Sequence, residues 1–419
     1  MVPELGAGVE LIGEYQGSGY QDPPYLARRA DGQVVQLSRL LYLVAVRLDG
    51  RRTYERLATE LGAEYGRGIT AEQVLFLVDN RLRPAGMVES GGSGHPAPLV
   101  RGKPDRLLAL RFRVALLPER VAGRIARVFQ PLFWPPVVIA ALVALVLGDT
   151  WLITSGGSGE VLASAHALIN QPSQTLLVLG ILLLAGIFHE CGHVAACRYG
   201  GATPGAMGVG IYLVWPAMYS TVTDAYRLSR RGRLRTDLGG VYFNALALLV
   251  MLAAYARTGQ PWLLVTIIAW HAATAWQFLP SIRLDGYYIL SDLVGVPDLF
   301  DRMLPTLRSL VPGREMDPRV RELKPWARRV IALWVVLVIP CLAYWLVAFL
   351  LLAPRVLPTV WQSLMHLGDG VVRAGDPATA VVGVIQILLL LLPWAGAALI
   401  IGGLVRRLVR WARRFRTAG

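Results

Sequence analysis

Long apolar runs dominate the chain after its first quarter. Residues 132–153, 175–196, 238–256, 262–278, 330–352 and 381–404 are nearly free of charge and long enough to read as bilayer-crossing helices. The stretch 358–376 has mixed polarity and reads as an external amphipathic or re-entrant piece. The first quarter has shorter periods. A strand-like piece at 33–36 leads into an apolar helix, 37–48, that stops at Asp49-Gly50. A second helix opens at Thr53, a good N-cap, with Tyr54, Leu57, Ala58 and Leu61 on one face. A third starts near Thr70 and carries Val74, Leu75 and Leu77; a turn and a short strand follow at 82–88. Three helices with flanking strands predict a small winged-helix α+β domain. The whole is expected to be an α-helical polytopic membrane protein of about six transmembrane helices. The predicted division is an N-terminal segment (1–24), the small domain (25–88), a linker and basic juxtamembrane segment (89–127), the membrane domain (128–405) and a basic tail (406–419).

Charge fixes an orientation for these spans. The chain carries 42 Lys+Arg against 28 Asp+Glu, a formal +14, although only 17% of residues are charged. Arginines crowd alternate loops: Arg198, Arg227, Arg230, Arg231, Arg233 and Arg235 after the second span, 283–329 after the fourth, and Arg406 onward after the sixth. The intervening loops hold only Arg257, Arg355 and Arg373. The positive-inside rule then puts both termini in the cytosol of a multi-pass cell-membrane protein. It also accounts for the charge without nucleic acid as a partner. The tail beginning at Arg406 reads as an anchor to lipid headgroups. Three cysteines, Cys191, Cys197 and Cys341, make no disulfide framework. The first twenty residues lack the basic start and apolar core of a cleavable signal peptide, so insertion is expected to rely on the internal spans.

Chemistry enters at His189-Glu190-Cys191-Gly192-His193, the pattern H-E-x-x-H near the end of the second span. Residues i and i+4 share a helix face, so both imidazoles can reach one Zn²⁺, and Glu190 on the adjoining face can serve as base for its water. Two histidines leave a catalytic zinc one protein ligand short. No glutamate occurs between Glu190 and Glu315, which leaves Asp224, Asp237, Asp285 and Asp292 as membrane-proximal candidates. Asp285 stands out, because it follows the fourth span on the same side as His193, after the helix breaker Pro280 and before Gly286. The competing role for Asp285 is to cap the helix that begins there, and the two roles are compatible. Asp224 and Asp237 read as solvated loop or helix-start residues.

H-E-x-x-H within a span, followed by Pro280 and Leu284-Asp285-Gly286-Tyr287, resembles the site-2 protease family of intramembrane zinc metalloproteases. Gly239-Gly240-Val241-Tyr242-Phe243-Asn244 is similar to that family's glycine-asparagine element. The resemblance covers roughly residues 177–295. It implies His189, His193 and Asp285 as metal ligands, Glu190 as catalytic base, and Asn244, Gln277 and Pro280 as substrate-binding positions. Gln277 stands where the family usually has Asn, and Val241 where a proline is often found. The wording around Leu284–Asp292, with 219–228 upstream, looks most like the bacterial peptide zinc metalloprotease branch, linked to maturation or export of ribosomally made peptides. Residues 47–53, Leu57, Leu61 and 82–88 resemble a PqqD-like leader-recognition domain, which implies strand addition of a peptide.

The chain therefore reads as a zinc-dependent intramembrane endopeptidase. Its substrate is expected to be a leader-bearing peptide or a single-span membrane protein, with a leader bound by residues 25–88 and the lipid bilayer as surroundings. The β-rich stretch 211–219 could pair with an unwound substrate. The rival reading is a non-catalytic peptide-binding or export component with a structural or vestigial zinc site, against which the intact Glu190 argues. Cys191 should point away from the shared histidine face. His271, mid-span, should either support the metal site or bond to another span.

Overall fold

The computed structural model describes residues 2–31, 33–66, 68–88, 111–155, 157–169, 171–212 and 214–416. The expected linker at 89–96 and the basic residues Arg101, Lys103 and Arg106 lie outside the described residues.

The N-terminal unit is built on an antiparallel sheet of β1 (Glu10–Glu14), β2 (Tyr25–Arg28) and β3 (Val34–Leu37), in that order. Helices α1 (Arg39–Val46), α2 (Tyr54–Tyr65) and α3 (Ala71–Leu77) each begin at a hydroxyl. Ser38 accepts from the Leu41 amide, Thr53 from that of Arg56, and Thr70 and Gln73 bond reciprocally as a capping box. The periodicity read from the sequence is the one that packs: Leu57, Ala58 and Leu61 are buried with Val44, Val74, Leu82 and Met87. The strand expected after Leu82 reduces to a single bridge between Val88 and Leu5. A π-helical turn, Val78–Leu82, precedes it, and β1 and β2 supply the sheet instead.

The described part of the expected juxtamembrane segment forms β4 (Arg111–Leu117) and the amphipathic helix α4 (Glu119–Phe129). Arg120, Arg124 and Arg127 lie exposed along α4, while Ala122 and Ala126 are buried. Next come α5 (Pro135–Thr154), α6 (Gly157–Ile169) and α7 (Pro172–Tyr199). The hairpin β5 (Met207–Tyr212) and β6 (Trp215–Ser220) continues the β4 sheet in the order β4-β5-β6. Then follow α8 (Arg230–Thr258), α9 (Pro261–Gln277), α10 (Asp285–Val294), α11 (Leu299–Ser309), α12 (Pro318–Arg321), α13 (Pro325–Val372) and α14 (Pro377–Arg416).

Among the described residues, five helices are long and apolar enough to cross a membrane: α5, α7, α8, α13 and residues 377–403 of α14. The sequence predicts about six. The difference is α9, whose 17 residues extend ~26 Å, short of a hydrocarbon core of roughly 30 Å. The stretch 358–376 is not a separate piece in its first part, since α13 runs unbroken to Val372 through Pro340, Pro354 and Pro358.

Among the described residues, helices α7 and α8 make the most extensive contact. They cross at glycines. A Cβ on Gly192 would lie 2.2 Å from the Gly239 carbonyl oxygen, and one on Gly239 would lie 2.6 Å from the Gly192 oxygen. Phe188 and Phe243 close the crossing, with ring centroids 4.5 Å apart.

The N-terminal unit is seated on the end of this bundle where α8 begins. Segment 15–21 runs between α8, α10 and the residues before α13. The Gly19 amide donates to Gly295 O, the Lys324 amide to Gly19 O, and the Gln21 amide to Glu322 O. Arg28 and Arg227 bracket Asp224, at 3.2 and 3.1 Å, and Asp224 also accepts from the Thr203 amide. Asp224 is thus buried, not the solvated loop residue expected from sequence. Arg233, 1% exposed, is held by Asp292 at 3.0 Å. Removing that carboxylate would leave a buried guanidinium uncompensated, a loss of about 3–5 kcal/mol.

Gly192→Ala should force α7 and α8 apart at a point where backbone meets backbone, a destabilisation of about 1–3 kcal/mol or more. Thermal unfolding in detergent measures it. An unfolding temperature equal to wild type would contradict the close crossing.

Candidate metal centre

Three electron-rich side chains meet where α7, α8, α9 and α10 converge. Helix α7 supplies His189 and His193, one turn apart on one face and both buried. Their rings face the α8 backbone directly. A Cβ on Gly240 would lie 2.4 Å from His193 Nε2 and 2.5 Å from His189 Cε1, so only glycine leaves the imidazoles room.

Asp285 arrives from the other side. The α9 helix ends at Gln277, and the chain bends through 278–284, where the Trp334 indole donates to Pro280 O at 2.9 Å. A Cβ on Gly286 would lie 2.1 Å from Phe278 O, so the start of α10 passes in backbone contact with the end of α9. Leu284 occupies the N-cap position and Asp285 is the first helical residue, so its carboxylate does not cap the helix. It faces the imidazoles instead: Oδ2 is 3.2 Å from His189 Nε2 and Oδ1 is 3.6 Å from His193 Nε2.

The hydrogen-bond network orients both imidazoles through their Nδ1 atoms. His193 Nδ1 lies 2.8 Å from the Thr236 carbonyl oxygen, which can only accept, so Nδ1 is protonated. The Thr274 hydroxyl donates to Trp270 O, which leaves its oxygen to accept from Asn244 Nδ2 at 3.1 Å. The same amide nitrogen donates to Gln277 Oε1 at 2.8 Å. Asn244 Oδ1 must then face His189 and accept from Nδ1 at 3.1 Å. Both Nε2 atoms then point inward, 3.2 Å from one another and 3.2 and 3.6 Å from the Asp285 carboxylate. Asp285 Oδ2 is buried and has no hydrogen-bond donor on it. Two imidazole nitrogens and a carboxylate buried together need a proton or a metal cation between them.

The donor set fits a divalent metal. The ligating atoms of His189, His193 and Asp285 all lie within 4.8 Å of one another. Two imidazoles and one carboxylate suit zinc and leave a coordination position open. Each histidine has its second nitrogen tied to an oxygen, as metal-bound histidines usually do. Glu190 is half-buried on the turn between the histidines and makes no hydrogen bond among the described residues.

Of the residues singled out in the sequence, the fold brings His189, His193, Asp285, Asn244 and Gln277 together, with Glu190 beside them. Asn244 spends its amide oxygen on His189, and Gln277 spends its oxygen on Asn244. Pro280 lies in the bend before α10, where its backbone oxygen accepts from the Trp334 indole and does not reach the ligand cluster. Asp237 lies on α8 beside Asp292 rather than in the ligand cluster, and one of its oxygens is buried without a partner. Cys191 packs among Ala195 and Phe243, away from the cluster. His271 reaches another helix, with Nε2 3.1 Å from Asp149 Oδ1 of α5. The residues that support the ligands and were not singled out, Thr236 and Thr274, act through a carbonyl and a hydroxyl that have no sequence signature.

Comparison with known proteins gives one curated relative. A stretch of 118 residues is 23% identical to the Bacillus subtilis (strain 168) protein named "Putative peptide zinc metalloprotease protein YydH". The match covers 27% of this chain and 46% of that protein, so the likeness spans less than half of the relative's length. No protein-family model matches the chain, and no solved structure matches it.

Asp285→Ala should lower the zinc content of the purified protein, and unchanged metal would remove Asp285 from the centre. Asn244→Ala frees His189 Nδ1 and should weaken zinc binding by about 10–100-fold. Competition with a chromophoric chelator measures that change, and an affinity within twofold of wild type would contradict the assigned support.

Proposed function

We propose that this chain is a zinc-dependent endopeptidase that hydrolyses peptide bonds of a membrane-associated or leader-bearing peptide or protein. One observation carries the reading: three electron-rich ligands, bare toward one another and fully braced behind, with the uncommitted carboxylate of Glu190 adjoining them. The likeness to a protein named as a peptide zinc metalloprotease supports the same class of activity.

His189, His193 and Asp285 would hold the ion. Zinc bound there would supply Lewis-acid polarisation of a peptide carbonyl and an acidified water near neutral pH. Glu190 takes the proton from the attacking water and delivers it to the leaving amine. Asn244 and the Thr236 carbonyl keep both imidazoles in the tautomer that presents Nε2. The Asn244–Thr274–Gln277 bonds tie the centre to α9, so Gln277 sits between the metal ligands and the backbone that leads to Pro280. A substrate contact from Asn244, Gln277 or Pro280 would have to be made by atoms that this bracing leaves over.

The surroundings suit a substrate that arrives extended. A helical segment keeps its carbonyls bonded internally and must unwind before hydrolysis. The β4-β5-β6 sheet lies against α7 through β6 and against 278–284 through Tyr212, whose hydroxyl accepts from the Arg283 amide at 3.3 Å. Among the described residues its edge strands are β4 and β6, whereas Ile211 and Tyr212 lie in the central strand β5, so main-chain pairing to such a strand falls to β4 or β6. The N-terminal sheet has edges of its own, and we assign it the capture of a peptide leader in the PqqD-like manner. The arginine-rich end of the bundle, where the site and both the N-terminal unit and Arg283 lie, is assigned to the cytosolic face of the cell membrane, with maturation or export of ribosomally made peptides as the setting.

The alternative is a non-catalytic peptide-binding or export component with a structural or vestigial zinc site. A structural site needs no base, and Glu190 separates the two readings. Glu190→Gln should retain zinc and lose cleavage of a reconstituted peptide substrate by at least about 100-fold. Cleavage at the wild-type rate would overturn the mechanism.

A further inference from the structure

The third ligand stands on a short helix, α10, that is held from far outside the metal centre. Asp292 lies seven residues beyond Asp285, two turns on and nearly on the same face. Its Oδ1 accepts two hydrogen bonds, from Arg233 Nε at 3.0 Å and from the Tyr15 hydroxyl at 3.1 Å. Arg233 is the largest fully buried side chain among the described residues. Its other two nitrogens donate to Leu228 O and to Gln16 O, and its guanidinium lies 4.3 Å from the centre of the Tyr15 ring. Tyr15 is itself 1% exposed, and burial pushes its phenol pKa up, which keeps it a donor.

The same segment then meets the end of α10 backbone to backbone. Gly295 closes the helix at φ 69°, and its carbonyl accepts from the Gly19 amide at 3.0 Å. A Cβ on Gly295 would lie 2.2 Å from Gly17 O, and one on Gly19 would lie 2.4 Å from Val294 O. Helix α10 is therefore clamped at both ends, by Phe278 O at Gly286 and by residues 15–19 at Asp292 and Gly295. Over ten residues of continuous helix, a constraint at Asp292 is carried to Asp285. The clamp on the far end belongs to the N-terminal unit, since Tyr15 directly follows β1 and its amide donates to Pro24 O before β2.

We infer that Tyr15, Arg233 and Asp292 are positioning residues for Asp285, and that through them the N-terminal unit sets the geometry of the metal centre. This rests on Asp285 being a metal ligand. The unit would then do more than capture a peptide: any displacement of segment 15–19 on binding passes along α10 to the third ligand. Arg233 donates to the α10 carboxylate and to the N-terminal backbone at once, so neither contact can shift without the other.

The full-length protein in detergent tests this with three variants. Tyr15→Phe keeps the ring over Arg233 and removes only the hydroxyl on Asp292. Asp292→Asn removes the charge partner, and Asp285→Ala is the control for ligand loss. Zinc affinity is read by chelator competition, and ligand geometry by the visible absorption of the cobalt-substituted protein at full occupancy. Tyr15→Phe should weaken zinc about threefold and Asp292→Asn about tenfold, within the range by which residues along a coupled network alter binding. Both should change the position or intensity of the cobalt bands. A purely structural role would lower the unfolding temperature and leave the cobalt spectrum as in wild type, which would overturn the inference. If Asp292→Asn does not fold, Tyr15→Phe decides alone: wild-type zinc affinity with a wild-type cobalt spectrum refutes the positioning role. A wild-type protein that takes up no metal would overturn the zinc reading and this inference with it, whereas normal wild-type binding with unchanged variants would overturn this inference only.

Discussion

The candidate metal centre depends on how closely α7 approaches α8. At Gly192 and Gly239 the two backbones touch, and at Gly240 the imidazole rings lie against bare backbone. Small residues allow apolar helices to approach this closely, and dispersion between the backbones then holds the pair together. That approach brings the Thr236 carbonyl and the Asn244 amide within reach of the two Nδ1 atoms. With larger residues at these positions, the histidines would still share a face of α7, but nothing would brace them from behind.

The bracing has an electrostatic consequence. Once both Nδ1 atoms are committed to oxygens, both Nε2 atoms face inward, and Asp285 adds a carboxylate to them. Burial of such a group is unfavourable unless positive charge neutralises it. The α10 helix is nevertheless held in place with Asp285 facing inward, by contacts at Gly286, Asp292 and Gly295 that owe nothing to the histidines. The fold thus imposes the convergence of these candidate ligands and leaves a proton or a metal cation to relieve it. A protein needing only a polar patch at a helix mouth has no reason to brace three ligands so thoroughly.

Legibility in the sequence followed the range of the interactions. His189 and His193 could be paired from spacing because i and i+4 contact is local, and the caps Thr53 and Thr70 for the same reason. Asp285 was legible through Pro280 and Gly286, which mark the bend that turns the chain back. The spans were legible except for α9, where composition suits a membrane and length does not. Hidden from the sequence was everything set by long-range contact. Tyr15 and Arg233 carry no motif, and Arg233 looks like one more loop arginine until burial and three acceptors single it out. Asp224 looked solvated because its partners Arg28 and Arg227 come from different units. Strands β1 and β2 escaped notice because Gly13 and the polar residues of β1 blur the alternation that marks a strand.

X-ray absorption at the zinc edge on the purified, zinc-loaded protein tests the central claim most directly. The account predicts a first shell of nitrogen and oxygen at about 2.0–2.1 Å, with the multiple-scattering pattern of two imidazoles and no sulfur. A sulfur scatterer at about 2.3 Å, which would bring Cys191 or Cys197 into the shell, or a shell without imidazole, would contradict it.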